Sequence, residues 1–247
     1  MATAMQSVAL FIPCLVDQLY PEIGLSMAQV LRRAGWQVIY DARQTCCGQP
    51  AFNTGYHAEA RRVAEHFIDV FGQAQVIVAP SGSCVAMVRN FFPELFAGHR
   101  REAEARALGK RVFEFSEFLV KQAGVTKLGA RYCRKAVFHN SCHSLRELHV
   151  QAEPLALLRE VAELQLLELP GEPVCCGFGG LFSLKFAAIA KRMADSRLAQ
   201  FEALGAEAVI SNDPGCLMQM RQEGRVKGSK LEILHLAEVL AGTVLSS

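Results

Sequence analysis

Eight of the nine cysteines in this 247-residue chain fall into two copies of one frame. The first copy is Cys14, then Cys46-Cys47-Gly48, then Cys84; the second is Cys142, then Cys175-Cys176-Gly177, then Cys216. Between the lone cysteine and the pair lie 31 residues in one copy and 32 in the other, and between the pair and the last cysteine 36 and 39. Thiolates are soft ligands, and thiols repeated in this way are the donor set of a metal ion or a metal–sulfur cluster. One buried cysteine by itself would be ordinary core; a complete frame made twice is not. Cys133 stands outside both frames and reads as an ordinary thiol. An odd total of nine argues against a closed disulfide framework. Residues 8–12 are apolar, but no basic segment precedes them and no small-residue cleavage site follows, so they read as a first strand and not as an export signal. The expected compartment is the reducing cytoplasm, where such cysteines serve metal or redox chemistry.

Cysteines so far apart in sequence meet only if the fold gathers them. Strand-like runs at 8–12, 36–40, 76–79 and 112–115 alternate with helical periodicity at 23–33 and 58–71. The second half repeats the order, with strands at 136–139, 166–169, 208–211 and 231–234 and helices at 155–164 and 186–204. Strand–helix alternation implies βαβ units and a mainly parallel sheet in each half. The expected class is therefore α/β, built as two pseudo-repeated halves, 1–130 and 131–247, that meet in the turn-rich stretch 124–134. Each frame cysteine falls just after a predicted strand. Parallel strands open their carboxyl ends on one edge, where such folds bind ligands, and helix starts nearby would turn backbone N–H groups toward thiolates. Gly48 and Gly177 suit a backbone pressed close to such a group.

Bulk composition excludes other classes. The chain is 51% hydrophobic and 20% charged with a formal net charge of +2, which gives no footprint for nucleic acid or an acidic membrane surface. The most basic stretch, residues 99–106, mixes both signs and reads as a solvated helical face. No apolar run approaches the ~18 residues that span a bilayer. Gly177-Phe-Gly179-Gly180 is superficially like a dinucleotide fingerprint, but that motif needs glycine where Phe182 stands.

Longer strings around the cysteines are more specific: Thr45-Cys-Cys-Gly-Gln-Pro-Ala-Phe-Asn-Thr-Gly-Tyr-His57, Ala79-Pro-Ser-Gly-Ser-Cys84, His139-Asn-Ser-Cys-His143, Cys175-Cys-Gly-Phe-Gly-Gly-Leu-Phe-Ser183 and Asp213-Pro-Gly-Cys-Leu-Met218. The frames resemble the cysteine-rich CCG domain of heterodisulfide reductase B subunits and of iron–sulfur subunits of glycolate and glycerol-3-phosphate dehydrogenases. Over nearly the whole chain the strings resemble the lactate utilization protein A family. That resemblance implies a cytoplasmic iron–sulfur subunit of an oxidoreductase that converts L-lactate to pyruvate. It also implies partner subunits, among them a ferredoxin-type iron–sulfur protein. The wider CCG pattern ends each frame in Cys-x-x-Cys, and here Ser81 and Asp213 occupy the first of those two positions. Four thiols per frame remain, enough for a 4Fe–4S cluster or for a tetrahedral zinc. The alternatives are thus a zinc-bearing structural subunit, or an iron–sulfur subunit for another 2-hydroxy acid such as glycolate.

The expected ligands are Cys14, Cys46, Cys47, Cys84, Cys142, Cys175, Cys176 and Cys216, with Ser81, Asp213, His139 and His143 as possible additions. Asp213 ahead of Pro214-Gly215 equally suits a helix N-cap, and Ser81 a turn. His139 and His143 flank Cys142, where an imidazole could donate to cluster sulfur or move a proton; His57 is a weaker candidate of the same kind. A Cys–His nucleophile at Cys142 would leave the second frame unexplained.

Overall fold

The computed structural model describes residues 6–242; residues 1–5, which precede the apolar segment weighed as an export signal, lie outside the described residues. Strands β1 (Ser7–Leu10), β2 (Gln37–Ile39), β3 (Ile77–Ala79) and β4 (Val112–Glu114) form one parallel sheet in the order β2-β1-β3-β4. Strands β5 (Lys135–His139), β6 (Gln165–Leu167), β7 (Ala208–Ser211) and β8 (Glu232–His235) form a second in the order β6-β5-β7-β8. The chain is α/β, as its alternation predicts. Register repeats too: Ala9 pairs Ile77 across β1 and β3, and Val137 pairs Val209 across β5 and β7. The fully apolar Ile77-Val78-Ala79 of β3 is buried throughout and sits inside its sheet, whereas Gln37-Val38-Ile39 of β2 is half exposed and forms an edge. In each sheet the order reverses beside the first strand, so the loops after β1 and β3, and after β5 and β7, part from one another. That parting leaves a crevice at the strand carboxyl ends.

Each cysteine pair lies in a loop that packs, through its glycine, on one long helix. Helix His57–Phe71 buries Ala60, Ala64, Phe67, Ile68 and Phe71, the three-and-four spacing of one helical face. Helix Ala187–Ala203 buries Ala190, Ala194, Arg197, Leu198 and Phe201 in the same sequence of steps. The core is continuous across the halves: Val8, Val78 and Phe115 share one apolar cluster with Val137, Val209 and Leu240. Helix Leu236–Ala241 packs on helix Pro21–Arg33. There the Arg33 guanidinium donates to the carbonyls of Leu128, Leu240 and Ala241, a cation placed at a helix C-terminus.

One helix differs from its expected bounds. Periodicity suggests 155–164, but the helix is Ala152–Arg159. Pro154 is tolerated in a first turn, so the helix begins earlier than the apolar pattern. It ends earlier because the Ala162 amide donates to the Ala130 carbonyl and pulls the chain into a bridge with Arg131.

Candidate metal centre

The lone and last cysteines of each frame sit at helix starts just past a strand. Cys14 opens helix Cys14–Leu19 after β1, and Cys142 opens helix Cys142–Arg146 after β5. Cys84 lies in helix Gly82–Ala86, whose N-cap is Ser81, and the Ser81 hydroxyl accepts the Cys84 amide at 3.3 Å. Cys216 lies in helix Pro214–Lys227, whose N-cap is Asp213, with the carboxylate accepting the Gly215 amide at 3.0 Å. Ser141 caps the Cys142 helix in the same way. A capped N-terminus holds its remaining amides in place and favours negative charge on nearby sulfur.

The cysteine pairs reach these helices from loops turned by glycine. Gly48 (φ 82°) and Gly177 (φ 86°) adopt the left-handed conformation that a side chain disfavours. Close packing adds a second reason. A Cβ on Gly177 would lie 2.5 Å from the Ala190 carbonyl oxygen, and one on Gly48 3.3 Å from that of Ala60. Each glycine amide donates to the sulfur two residues before it, Gly48 to Cys46 at 3.3 Å and Gly177 to Cys175 at 3.4 Å.

Within each frame the thiols come together. Cys14 and Cys46 sulfurs are 3.6 Å apart, Cys47 and Cys84 3.4 Å, and Cys176 and Cys216 3.1 Å. Donation from Cys14 and Cys47, joined by the Gly48 amide, pulls Cys46 down to about 3. Donation from Cys142 and Cys176 pulls Cys175 down to about 2 by the same means. Their partners Cys14, Cys47, Cys142 and Cys176 are pushed up, because each keeps its proton to donate a hydrogen bond to a neighbouring sulfur and is wholly or partly buried. Each frame thus gathers its cysteine sulfurs in one place, and a metal bound there would displace their protons.

The two frames face each other. All eight frame cysteines line one cavity of about 140 Å³ between the halves, together with Gln49, Ser83, His143, Phe178 and Asp213. Its floor is stitched across the seam. The Asp213 carboxylate, which caps its own helix through one oxygen, accepts the Ser83 amide of the other half at 2.9 Å and the Ser81 hydroxyl at 3.3 Å through the second. The His235 ring accepts the Ala237 amide at Nδ1, so Nε2 carries the proton and donates to the Pro80 carbonyl at 3.1 Å. Helices Gly82–Ala86 and Cys142–Arg146 touch so closely that a Cβ on Gly82 would meet the Ser144 hydroxyl at 1.9 Å. Asp213 and Ser81 therefore act as caps and as seam contacts.

The remaining candidates separate clearly. His143 lines the cavity, with Nδ1 3.7 Å from the Cys142 sulfur and Nε2 3.5 Å from the Gln49 amide nitrogen. His139 is buried at the end of β5; one ring nitrogen lies within 4.8 Å of the Cys176 and Cys216 sulfurs. Burial and the Arg197 charge hold it neutral, down to about 4. His57 stacks on Phe52 at the start of its helix and is not among the cavity lining. Cys133 is exposed and apart. Sequence reading did not single out Arg197, Ser211 or the bridging role of Asp213. Laying the two buried helical faces side by side would have exposed Arg197, since it falls where the first half has Phe67.

A family model described as a cysteine-rich domain, CCG, matches residues 8–89 and again 136–221. The chain is 42% identical to a lactate utilization protein A of Halalkalibacterium halodurans over 94% of this chain and 96% of that one. It is 41% identical to lactate utilization protein A 2 of Bacillus cereus and 40% identical to lactate utilization protein A 1 of Bacillus anthracis, in each case over 95% of this chain and 97% of the relative.

Proposed function

The chain belongs to the cysteine-rich CCG domain family and, within it, to the lactate utilization protein A family, and from that premise we propose that it is the iron–sulfur redox subunit of a complex that oxidises L-lactate to pyruvate in the cytoplasm. The observation that carries this reading is the single cavity faced by both cysteine frames. Four cysteine sulfurs per frame, with a glycine amide aimed at sulfur in each, match the donor set of a 4Fe–4S cluster. Such a group, when bound, accepts and passes on single electrons. The chain's own part is to hold it on Cys14, Cys46, Cys47 and Cys84 in one half, 1–130, and on Cys142, Cys175, Cys176 and Cys216 in the other, 131–247. Capped helix starts and glycine amides offset its negative charge.

Lactate loses two electrons and two protons in becoming pyruvate. Nothing in the sequence supplies a flavin or nicotinamide fingerprint, so the first acceptor of that pair belongs to a partner subunit, and a ferredoxin-type partner relays the electrons onward. No helix among the described residues is long and apolar enough to cross a membrane.

A zinc-bearing structural subunit is the second reading, favoured by one measurement. Paired thiols 3.1–3.6 Å apart lie near the ~3.8 Å edge of a tetrahedral site with zinc–sulfur bonds of ~2.3 Å. Iron, zinc and acid-labile sulfide per chain, measured on anaerobically purified protein, decide between the two. The expected result is about four iron and four sulfide for each loaded frame. Zinc without sulfide, from iron-replete cells, overturns the redox reading.

A further inference from the structure

The two frames have the same cysteines but different surroundings. Behind the first pair the strand ends and the facing helix present Phe11, Ala79 and Phe67. All three are buried, and the Phe11 ring meets Phe67 edge-on at 4.8 Å and Phe71 at 5.8 Å. The matching positions behind the second pair are His139, Ser211 and Arg197. Register fixes the match: β1 pairs β3 as β5 pairs β7, placing His139 directly across from Ser211, and Ala60 and Ala190 stand at equivalent points against Gly48 and Gly177. Phe71 and Phe201 also correspond; the His139 ring lies edge-on to Phe201 at 6.2 Å, and the Arg197 guanidinium lies 4.9 Å over it.

A polar trio in a core is costly unless its atoms are used. His139 is 1% exposed, Arg197 4% and Ser211 0%. Yet His139 Nδ1 and Nε2, Arg197 Nε and Ser211 Oγ have no hydrogen-bond partner among the described residues. One His139 ring nitrogen and the sulfurs of Cys176 and Cys216 all lie within 4.8 Å of one another. Arginine keeps its charge when buried; the Arg197 guanidinium donates to the Gln200 side-chain oxygen, and the anion-forming group that acts on its charge is Cys176 of the second frame.

We propose that the frames are inequivalent: His139 donates its ring N–H to sulfur of the iron–sulfur group held by the second frame, and Arg197 supplies that group's buried counter-charge, so the second site is reduced before the first. This rests on the iron–sulfur reading above. Hydrogen bonds to sulfur and added positive charge both stabilise the more negative, reduced state, and the first frame has phenylalanine in both places. His139 and Arg197 are tuning residues here, not ligands.

The test uses the full chain with one frame disabled at a time and an anaerobic redox titration followed by electron paramagnetic resonance. Cys46→Ala protein, which keeps the second frame, is expected to be reduced at a higher potential than Cys175→Ala protein, which keeps the first. In the Cys46→Ala background, His139→Phe and Arg197→Met each lower that potential, while His139→Gln, whose amide still donates, restores most of the loss. In the Cys175→Ala background the same changes leave the potential where it was. Equal potentials in the two single-frame proteins, or an upper potential unmoved by Arg197→Met, overturn the proposal. Loss of iron in both His139→Phe and His139→Gln also overturns it, because His139 would then be a ligand. Zinc without sulfide in the unaltered protein sinks the iron–sulfur reading itself, and metal analysis alone reads that result. Iron and sulfide present with unmoved potentials sink only the tuning.

Discussion

Phe11, Phe67 and Ala79 fill the space behind one cysteine pair, and His139, Arg197 and Ser211 fill the equivalent space behind the other. The backbone is the same in strand order and register. What differs is whether the interior beside the sulfur is dry or polar. Duplication has thus kept the donor set and let its surroundings diverge, and in metal sites the surroundings set affinity and potential. The carboxyl ends of the equivalent strands β1 and β5 are satisfied differently as well. Gln44 satisfies the β1 end by accepting the Ile12 amide and donating to the Leu10 carbonyl, whereas Asn212 and Asn140 do comparable work beside β5.

The comparison breaks most sharply if either frame proves dispensable. Cys175→Ala is expected to remove all metal from the second frame and none from the first, and Cys46→Ala the reverse, as metal analysis of the purified variants reads. Cys133→Ser removes none; metal lost there would mean that the ligand set is wrong.

The last strand of each half ends in a buried titratable cap, and the two pull in opposite directions. Glu114 accepts the Ser116 and Glu117 amides, and burial pushes its carboxyl from 4.5 up to about 7. The folded state therefore binds that proton more tightly than the unfolded chain, and stability falls as pH rises from 4.5 to 7. At His235 burial lowers the ring from 6.5 to about 3, so stability falls as pH drops from 6.5 toward 3. Each unit of difference corresponds to about 1.4 kcal/mol. Urea midpoints across this range should flatten on the alkaline side in Glu114→Gln and on the acid side in His235→Gln.

Smaller differences separate the glycines and the caps. Gly177→Ala should cost about 3 kcal/mol and Gly48→Ala about 1 kcal/mol, since both hold φ positive but only at Gly177 would the added Cβ lie 2.5 Å from a carbonyl oxygen. Equal urea midpoints would mean that the second pair is no more tightly seated than the first. Asp213→Ala, which uncaps helices in both halves, should cost about 2 kcal/mol against about 1 kcal/mol for Ser81→Ala. If the order reverses, the seam contact contributes nothing.

Much of this was legible in the residues themselves. Apolar runs placed all eight strands, because strands buried in parallel sheets need continuous hydrophobic sequence. The frame cysteines announced themselves by repetition, and Asp213 ahead of Pro214-Gly215 already had the chemistry of a cap. What stayed hidden was contact between distant elements. His139 meets Arg197 only through the packing of β5 on a helix 58 positions later in sequence, and no local pattern encodes that. The same is true of Asp213 and Ser83, partners 130 positions apart. Helix ends also escaped periodicity: the bridge between Arg131 and Ala162 stops the helix at Arg159, a tertiary contact overriding a local preference.

The shared carboxylate also dictates an order of assembly. Chains leave the ribosome N-terminus first, and domains fold as they emerge. When β1 to β4 have been made, the Ser83 amide has no acceptor yet, because Asp213 lies 99 residues beyond Glu114, the end of β4. The Pro80 carbonyl waits longer still, for His235. The first four cysteines therefore face open solvent while the second half is being made, and the wall that encloses them is complete only once Asp213 and Cys216 have been added.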